Sequence, residues 1–408
     1  MPLPILPDPV FARALAFLTD LTAISSPSGD PAGLERAAGL LAEALRARGF
    51  APEVREESGL PLLVAGQPAA ADGYLLLLGH LDTVLPATPP QLAGDRLLAT
   101  GGIDMKGGFA ALVGALDLLA HHGVEPAADL LVVAVPDEEV GGELSRRATA
   151  RWGPAARAVW VLEPGEPVPA KNGGTAGETL VAGRRGMFDW RATVRGRAAH
   201  SGSYYWEGRS ALDAAARLAV AAQGLSRQGG GPTINCGRLV AGDASFVEEL
   251  ATAHGQLGTD RQLNVVPDRA LLEGEARFLT THQGVKLAGR LAALAGEIAC
   301  LTETAIDFRS GPAIPPVDPN GPQRTWCERA VALAARRGWR LDLEEERGGI
   351  SFPNFLPDPG RVPVLDGLGP TGGGMHTREE FVDLTSLRRR IVLLADMLAA
   401  DAKAQLPD

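Results

Sequence analysis

The chain has 408 residues, a length beyond that at which a single hydrophobic core stops growing, so two domains are expected. Its 45% apolar content is that of a globular protein, and a net charge of -10 argues against nucleic acid or an anionic membrane as a partner. No apolar run approaches the ~20 residues that span a bilayer. The first residues lack a leader pattern, and Cys236, Cys300 and Cys327 form no C-x-x-C pair, so a cytoplasmic protein is expected.

Residues 9–49 carry helical periodicity that breaks around Ser25–Gly29, with a second helix predicted from Pro31 to Arg48 and closed by Gly49. Apolar runs of strand length follow at Tyr74–Leu78, Leu131–Val135 and Val159–Leu162, and a helix over Gly108–His121 separates the first two. Continuous apolar strands alternating with helices predict a parallel sheet covered on both faces. Near residue 183 the texture changes. Phe188, Trp190, Ala192 and Val194 alternate with Asp189, Arg191, Thr193 and Arg195, which is the pattern of a half-exposed strand. A helix over Ala211–Gln223, strands over Thr233–Val240 and Ala270–Leu279, and a helix from Val285 to Ala299 then make a small α+β domain. From about Pro312 the first texture returns, with a helix over Cys327–Arg337, a glycine-rich stretch at Gly367–Gly374 and a final helix over Leu384–Ala402. The expected fold class is α/β. A discontinuous catalytic domain of residues 1–182 and 310–408 has a mostly parallel central sheet flanked by helices, and residues 183–309 form an inserted α+β lid or dimerisation domain.

Each early strand ends in a polar cluster: Gly79-His80-Leu81-Asp82, Pro136-Asp137-Glu138-Glu139 and Glu163-Pro164-Gly165. In open α/β sheets ligands bind outside the carboxyl ends of the strands, so the three clusters should converge on one site. A fourth, Gly101-Gly102-Ile103-Asp104-Met105-Lys106-Gly107-Gly108, precedes a helix in a glycine-rich loop that permits close approach to a bound group. One imidazole among several carboxylates is a nitrogen and oxygen donor set, which suits Zn²⁺ or a similar divalent ion. Asp82 is placed to fix the ring of His80, and of the adjacent Glu138 and Glu139 one can ligate while the other stays free as a base. His376, after Gly372-Gly373-Gly374-Met375, can close the site from the C-terminal segment. His121, His122, His254 and His282 read as surface residues.

The constellation resembles a known family, the zinc carboxypeptidase and aminoacylase group that includes glutamate carboxypeptidase, acetylornithine deacetylase and succinyl-diaminopimelate desuccinylase. The resemblance spans essentially the whole chain. It rests on the stretches around His80, Asp104, Glu138-Glu139 and Glu163, on Gly196 to His200-Ser201-Gly202, on Asn264-Val265-Val266-Pro267 and on His376. It implies a hydrolase with two Zn²⁺ per chain, for which Co²⁺ or Mn²⁺ can substitute. Carried over from the resemblance, His80 and Glu163 would hold one ion, Glu139 and His376 the other, and Asp104 would bridge them. On the same resemblance Glu138 would be the general base and Asp82 the partner of His80. His200, Asn264 and Arg277 contact substrate, in dimeric relatives across to the partner subunit. The resemblance further implies a small peptide or N-acyl amino acid as substrate and a homodimer through the inserted domain.

Two departures bear on substrate. Relatives commonly carry an acid in a glycine-rich segment where this chain has Phe352 in Gly348-Gly349-Ile350-Ser351-Phe352. Glutamate-specific relatives have a second arginine where this chain reads Arg309-Ser310-Gly311, which leaves Arg309 as the candidate for the substrate carboxylate. The leading expectation is cleavage of an amide next to a free carboxylate, as in glutamate carboxypeptidase. An N-acyl amino acid deacetylase is the alternative within the enzyme class, and a catalytically weakened metal- or peptide-binding relative is the alternative outside it. The glycine-rich loop around Asp104 matches neither a P-loop nor a dinucleotide fingerprint.

Overall fold

A computed structural model describes residues 6–66, 73–126, 129–171, 174–252, 264–404 and 406–407. His254 lies outside the described residues. The chain forms two compact units, one of residues 1–184, 318–347 and 351–408, the other of residues 185–317 with 348–350.

The first unit opens with helices α1 (Asp8–Ala23) and α2 (Pro31–Arg46), the second capped by the Asp30 carboxylate on the Gly33 N–H. A hairpin of β1 (Pro52–Glu57) and β2 (Leu60–Ala65) follows, then β3 (Tyr74–His80). Short strands β4 (Gln91–Ala93) and β5 (Arg96–Leu98) precede α3 (Gly107–His121), β6 (Leu130–Val135), α4 (Glu143–Trp152) and β7 (Ala156–Val161). The chain reaches the second unit through β8 (Pro167–Pro169) and β9 (Thr175–Val181).

The main sheet has the order β1, β2, β6, β3, β7 and a late strand at Val364–Leu365. β6, β3, β7 and the late strand run parallel, while the β1–β2 hairpin joins antiparallel at one edge. Leu75–Leu78 of β3 are fully buried. Burying a leucine contributes ~1.5–3 kcal/mol, so an unbroken apolar run belongs at the centre, where both faces are covered. α3 is apolar almost all round because it is wedged between other elements, with α1 and α9 (Leu384–Asp401) among its neighbours.

The second unit is an antiparallel sheet of β10 (Gly186–Arg195), β11 (Thr233–Gly242), β12 (Arg269–Phe278) and β13 (Ala305–Ser310), in the order β11, β12, β10, β13. Helices α5 (Ala211–Gln223) and α7 (Thr281–Thr302) pack on it, and α6 (Ala244–Thr252) lies between β11 and β12 in the chain. Phe188, Trp190, Ala192 and Val194 are buried with Leu218, Leu291 and Phe278. The outward face carries ion pairs such as Arg191 and Arg238 on Glu273. The chain then returns to the first unit through α8 (Arg324–Arg336), β14 (Leu341–Glu344), β15, which is the late strand, β16 (Gly372–Gly373) and β17 (Phe381–Asp383) before α9.

Candidate metal centre

Three neighbouring parallel strands, β6, β3 and β7, end side by side, and their ends supply most of the site. His80 is the last residue of β3, the turn after β6 carries Glu138 and Glu139, and Glu163 follows β7. The fourth contribution comes from the loop before α3. Gly108 in the first turn of that helix has no room for a side chain, since a Cβ there would lie 2.1 Å from the Leu162 carbonyl oxygen. Glycine therefore lets the Asp104 loop close down on the strand end that carries Glu163.

Asp104 divides its carboxylate between two groups. Oδ1 lies 3.1 Å from Nε2 of His80, whose Nε2 is also 3.7 Å from Glu163 Oε1. Oδ2 lies 3.1 Å from Nε2 of His376, which in turn is 3.3 Å from Glu139 Oε2. Donor atoms of His80, Asp104 and Glu139 fall within 4.8 Å of one another, and so do those of His80, Glu138 and Glu163. His376 adopts a left-handed backbone, φ 62°, at the tip of the β16–β17 hairpin.

The other ring nitrogen of His80, Nδ1, is 2.9 Å from the Asp82 backbone carbonyl and 3.4 Å from its carboxylate. The Asp82 side chain also holds the neighbouring turn: its oxygens accept the N–H of Glu138 and the N–H of Glu139, each at 3.1 Å, and the Ser28 hydroxyl at 2.7 Å. Asp137, the third acid in the run, points away and caps α4 through the N–H groups of Leu144 and Ser145. Three consecutive acids thus serve three directions.

So many acids in a buried place repel one another. Burial, with the negative charges of Asp104 and Glu138, drives the Glu163 carboxyl well above its usual range, and burial with Asp104 raises Glu138. Glu139 is pushed up to about 8 by burial and the Asp104 charge. Burial opposes ionisation of Asp104, yet hydrogen bonds from both imidazoles hold its carboxyl well below the usual carboxylate range. His376 is raised to about 9, chiefly by its bond to Asp104. Oε1 of Glu139 is buried with no hydrogen-bond partner, a costly state for a carboxylate oxygen. Excess negative charge, an orphaned oxygen and a donor set of imidazole and carboxylate without thiolate together fit divalent cations.

Two neighbours of the site carry no local sequence signal. Ser351 donates its hydroxyl to Glu163 Oε1 at 3.2 Å. Arg184 is buried, pairs through Nε with Asp366 at 2.5 Å, and its charge eases ionisation of Glu163. Phe352, the departure noted in the sequence, is fully buried in a hydrophobic cluster with Leu356, Val362 and Val159. A phenyl ring gains more from that core than from a polar site, so the residue that meets the acids is Ser351.

The remaining candidates lie in the second unit. His200 Nδ1 accepts the N–H groups of Gly202 at 3.2 Å and Ser203 at 3.1 Å. Asn264 is exposed, and its carbonyl accepts the Ser201 N–H at 2.9 Å. Arg277 pairs with Glu275 through Nε at 3.0 Å and donates to the Gly348 carbonyl. Arg309 is largely exposed beside Asp307 at 2.8 Å.

Known proteins resemble this chain along most of its length. Carboxypeptidase G2 of Pseudomonas sp. (strain RS-16) is 25% identical over 390 residues, covering 93% of this chain and 87% of the relative. Succinyl-diaminopimelate desuccinylase of Methylorubrum extorquens (strain PA1) is 28% identical over 380 residues, 88% of this chain and 92% of the relative. In fold, the crystal structure of aminopeptidase PepT from Bacillus cereus ATCC 10987 matches with a TM-score of 0.76 at 21% identity, over 96% of this chain and 99% of that one. The family model for peptidase family M20/M25/M40 matches residues 76–400, and the chain belongs to that family.

Proposed function

We propose that this hydrolase is a metal-dependent exopeptidase that cleaves an amide bond next to a free carboxylate, in the manner of a glutamate carboxypeptidase. The observation that carries the reading is the division of the Asp104 carboxylate, with His80 on one oxygen and His376 on the other, each at 3.1 Å. His80 and Glu163 would hold one divalent ion, Glu139 and His376 the other, and Asp104 both. Zinc suits these donors, with cobalt or manganese as substitutes. Two such ions supply Lewis acidity toward the scissile carbonyl and make water a stronger acid.

Glu138 is the general base. Its backbone N–H is fixed by Asp82 at 3.1 Å, and its carboxylate takes a proton from the attacking water and passes it to the departing amine. Because His200 Nδ1 accepts two backbone N–H groups, the neutral ring carries its proton on Nε2, which leaves that N–H to stabilise the oxyanion. Asn264, Arg277 and Arg309 are assigned to the substrate carbonyl and carboxylate.

A screen on zinc- and cobalt-loaded protein tests the reading, comparing acyl-glutamates, folyl-type compounds, dipeptides, and N-acetyl and N-succinyl amino acids, with metal counted in parallel. Release of C-terminal glutamate as the best reaction supports it. Preference for acetyl or succinyl substrates supports the deacylase alternative, which the 28% identity to the desuccinylase favours. A catalytically weakened binding relative would be favoured by Phe352 lining the site, and burial of that ring in the core speaks against it.

The chain is a homodimer through the second unit, whose helices α5 and α7 leave Leu212, Val220, Val285 and Leu301 exposed. Light scattering that gives a monomer mass would refute it. The enzyme works in the cytoplasm, in keeping with three free cysteines. Among the described residues no helix is long and apolar enough to cross a membrane.

A further inference from the structure

Glu380 follows the candidate ligand His376 in the stretch Thr377-Arg378-Glu379-Glu380. In the structure it is only 3% exposed, and a carboxylate in that setting needs hydrogen-bond partners. It finds them in the backbone of the Asp104 loop. Oε2 accepts the Gly101 N–H at 2.7 Å, and Oε1 accepts the N–H groups of Ile103 at 2.9 Å and Asp104 itself at 3.2 Å. The carbonyl of Glu380 also accepts the Ala99 N–H at 3.0 Å, so one residue grips the loop at both ends. The buried Lys106 ammonium, which donates to the Ile24 carbonyl at 2.8 Å, supplies an attracting charge.

Glu380 also stands at the root of the hairpin whose tip carries His376. Gly372 pairs with Val382 and Gly373 with Phe381 across the two strands. Within the tip, the N–H and hydroxyl of Thr377 both donate to the Gly374 carbonyl, at 3.0 and 2.7 Å. Gly374 takes φ 69°, and a Cβ there would lie 2.6 Å from the Glu379 carbonyl oxygen, so the closed tip requires glycine. His376 is thereby tied to Glu380 through a compact turn, and Asp104 is tied to Glu380 through direct hydrogen bonds.

We propose that Glu380 is a positioning residue for the second ion site. It holds the Asp104 loop and the His376 hairpin in register, so that Asp104 Oδ2, Glu139 and His376 present one preformed set of donors. The inference rests on the two-ion reading of the centre. His80 and Glu163, the protein ligands of the first site besides Asp104, are placed by the central strands β3 and β7, which pair directly with each other and do not involve Glu380. Asp104 serves both sites, but only the second also takes His376 from the hairpin that Glu380 anchors, so loss of the Glu380 bonds weakens the second site far more than the first, whereas a merely structural role would weaken both alike.

The test uses the full-length metal-free chain, titrated with Co²⁺ and followed by calorimetry and visible absorption. Glu380→Gln keeps the size of the side chain but offers one acceptor oxygen to three N–H groups. Glu380→Asp keeps the charge and shortens the reach, and it carries the comparison alone should the glutamine variant not fold. Wild type is expected to bind two ions. Each variant is expected to bind the first with a Kd within about threefold of wild type and the second about 10–100-fold more weakly, the usual scale for losing a group that orients a ligand. An unchanged second Kd, or equal weakening at both sites, overturns the proposal. A wild-type chain that binds fewer than two Co²⁺ overturns the two-ion reading itself and the proposal with it, and that result is read before any variant is compared.

Discussion

Oδ1 of Asp104 lies 3.1 Å from Nε2 of His80, at the end of the central strand, while the other oxygen of the same carboxylate faces the C-terminal hairpin. This makes Asp104 common to both halves of the centre, and His376 a member of one half alone. Asp104→Ala is therefore expected to abolish binding of both ions, whereas His376→Ala should retain one. Elemental analysis after desalting distinguishes the two, and equal metal loss in both variants would contradict the division.

If Glu138 is the base, as proposed, its removal should leave the metal alone. Glu138→Gln preserves the backbone N–H that Asp82 holds at 3.1 Å, so the turn keeps its shape. The expected result is a fall in kcat of roughly 10²–10⁴ with wild-type metal content. A variant within about tenfold of wild type would show that another group takes the proton.

His200 has its Nδ1 occupied by the N–H groups of Gly202 and Ser203, and only Nε2 remains to donate. His200→Ala should lower kcat by ~10²–10³, the usual cost of one oxyanion donor, with a smaller change in KM and none in metal content. An unaltered kcat would remove His200 from the chemistry.

Phe352 is fully buried and its ring sits among Leu356, Val362 and Val159. Phe352→Ala is expected to cost ~3–5 kcal/mol of stability, read as a lower melting temperature, with little change in KM. A raised KM at unchanged stability would return the ring to the substrate site.

Much of the layout was legible in the chain because it is written in short-range patterns. The run Leu75–Leu78 is apolar at every position and forms the central strand, and Phe188–Arg195 alternates and forms a half-exposed one. The helix expected over Ala211–Gln223 has those bounds, fixed by the Ser210 side chain that caps it. The helix expected over Val285–Ala299 extends to Thr281–Thr302, because Thr280 caps it one turn earlier. The β1–β2 hairpin, the α4 helix and the short strands β8, β9 and β14 carried weaker patterns and emerged only in the fold.

By itself the sequence singled out the acids and histidines that the fold gathers at the strand ends. Acids and histidines placed just after apolar strands have few other uses, and glycines beside them announce close backbone approach. What tertiary structure decided was direction and partnership. The Asp82 carboxylate holds the Glu138–Glu139 backbone as well as facing the His80 ring, and Asp137 caps a helix. Ser351 met Glu163, and Arg390 was buried against Glu178 and the Thr179 carbonyl, across long stretches of chain. A hydrogen bond between residues hundreds of positions apart leaves no periodicity behind, since any polar residue at the right point in space satisfies it. Only the packed fold brings that point into being.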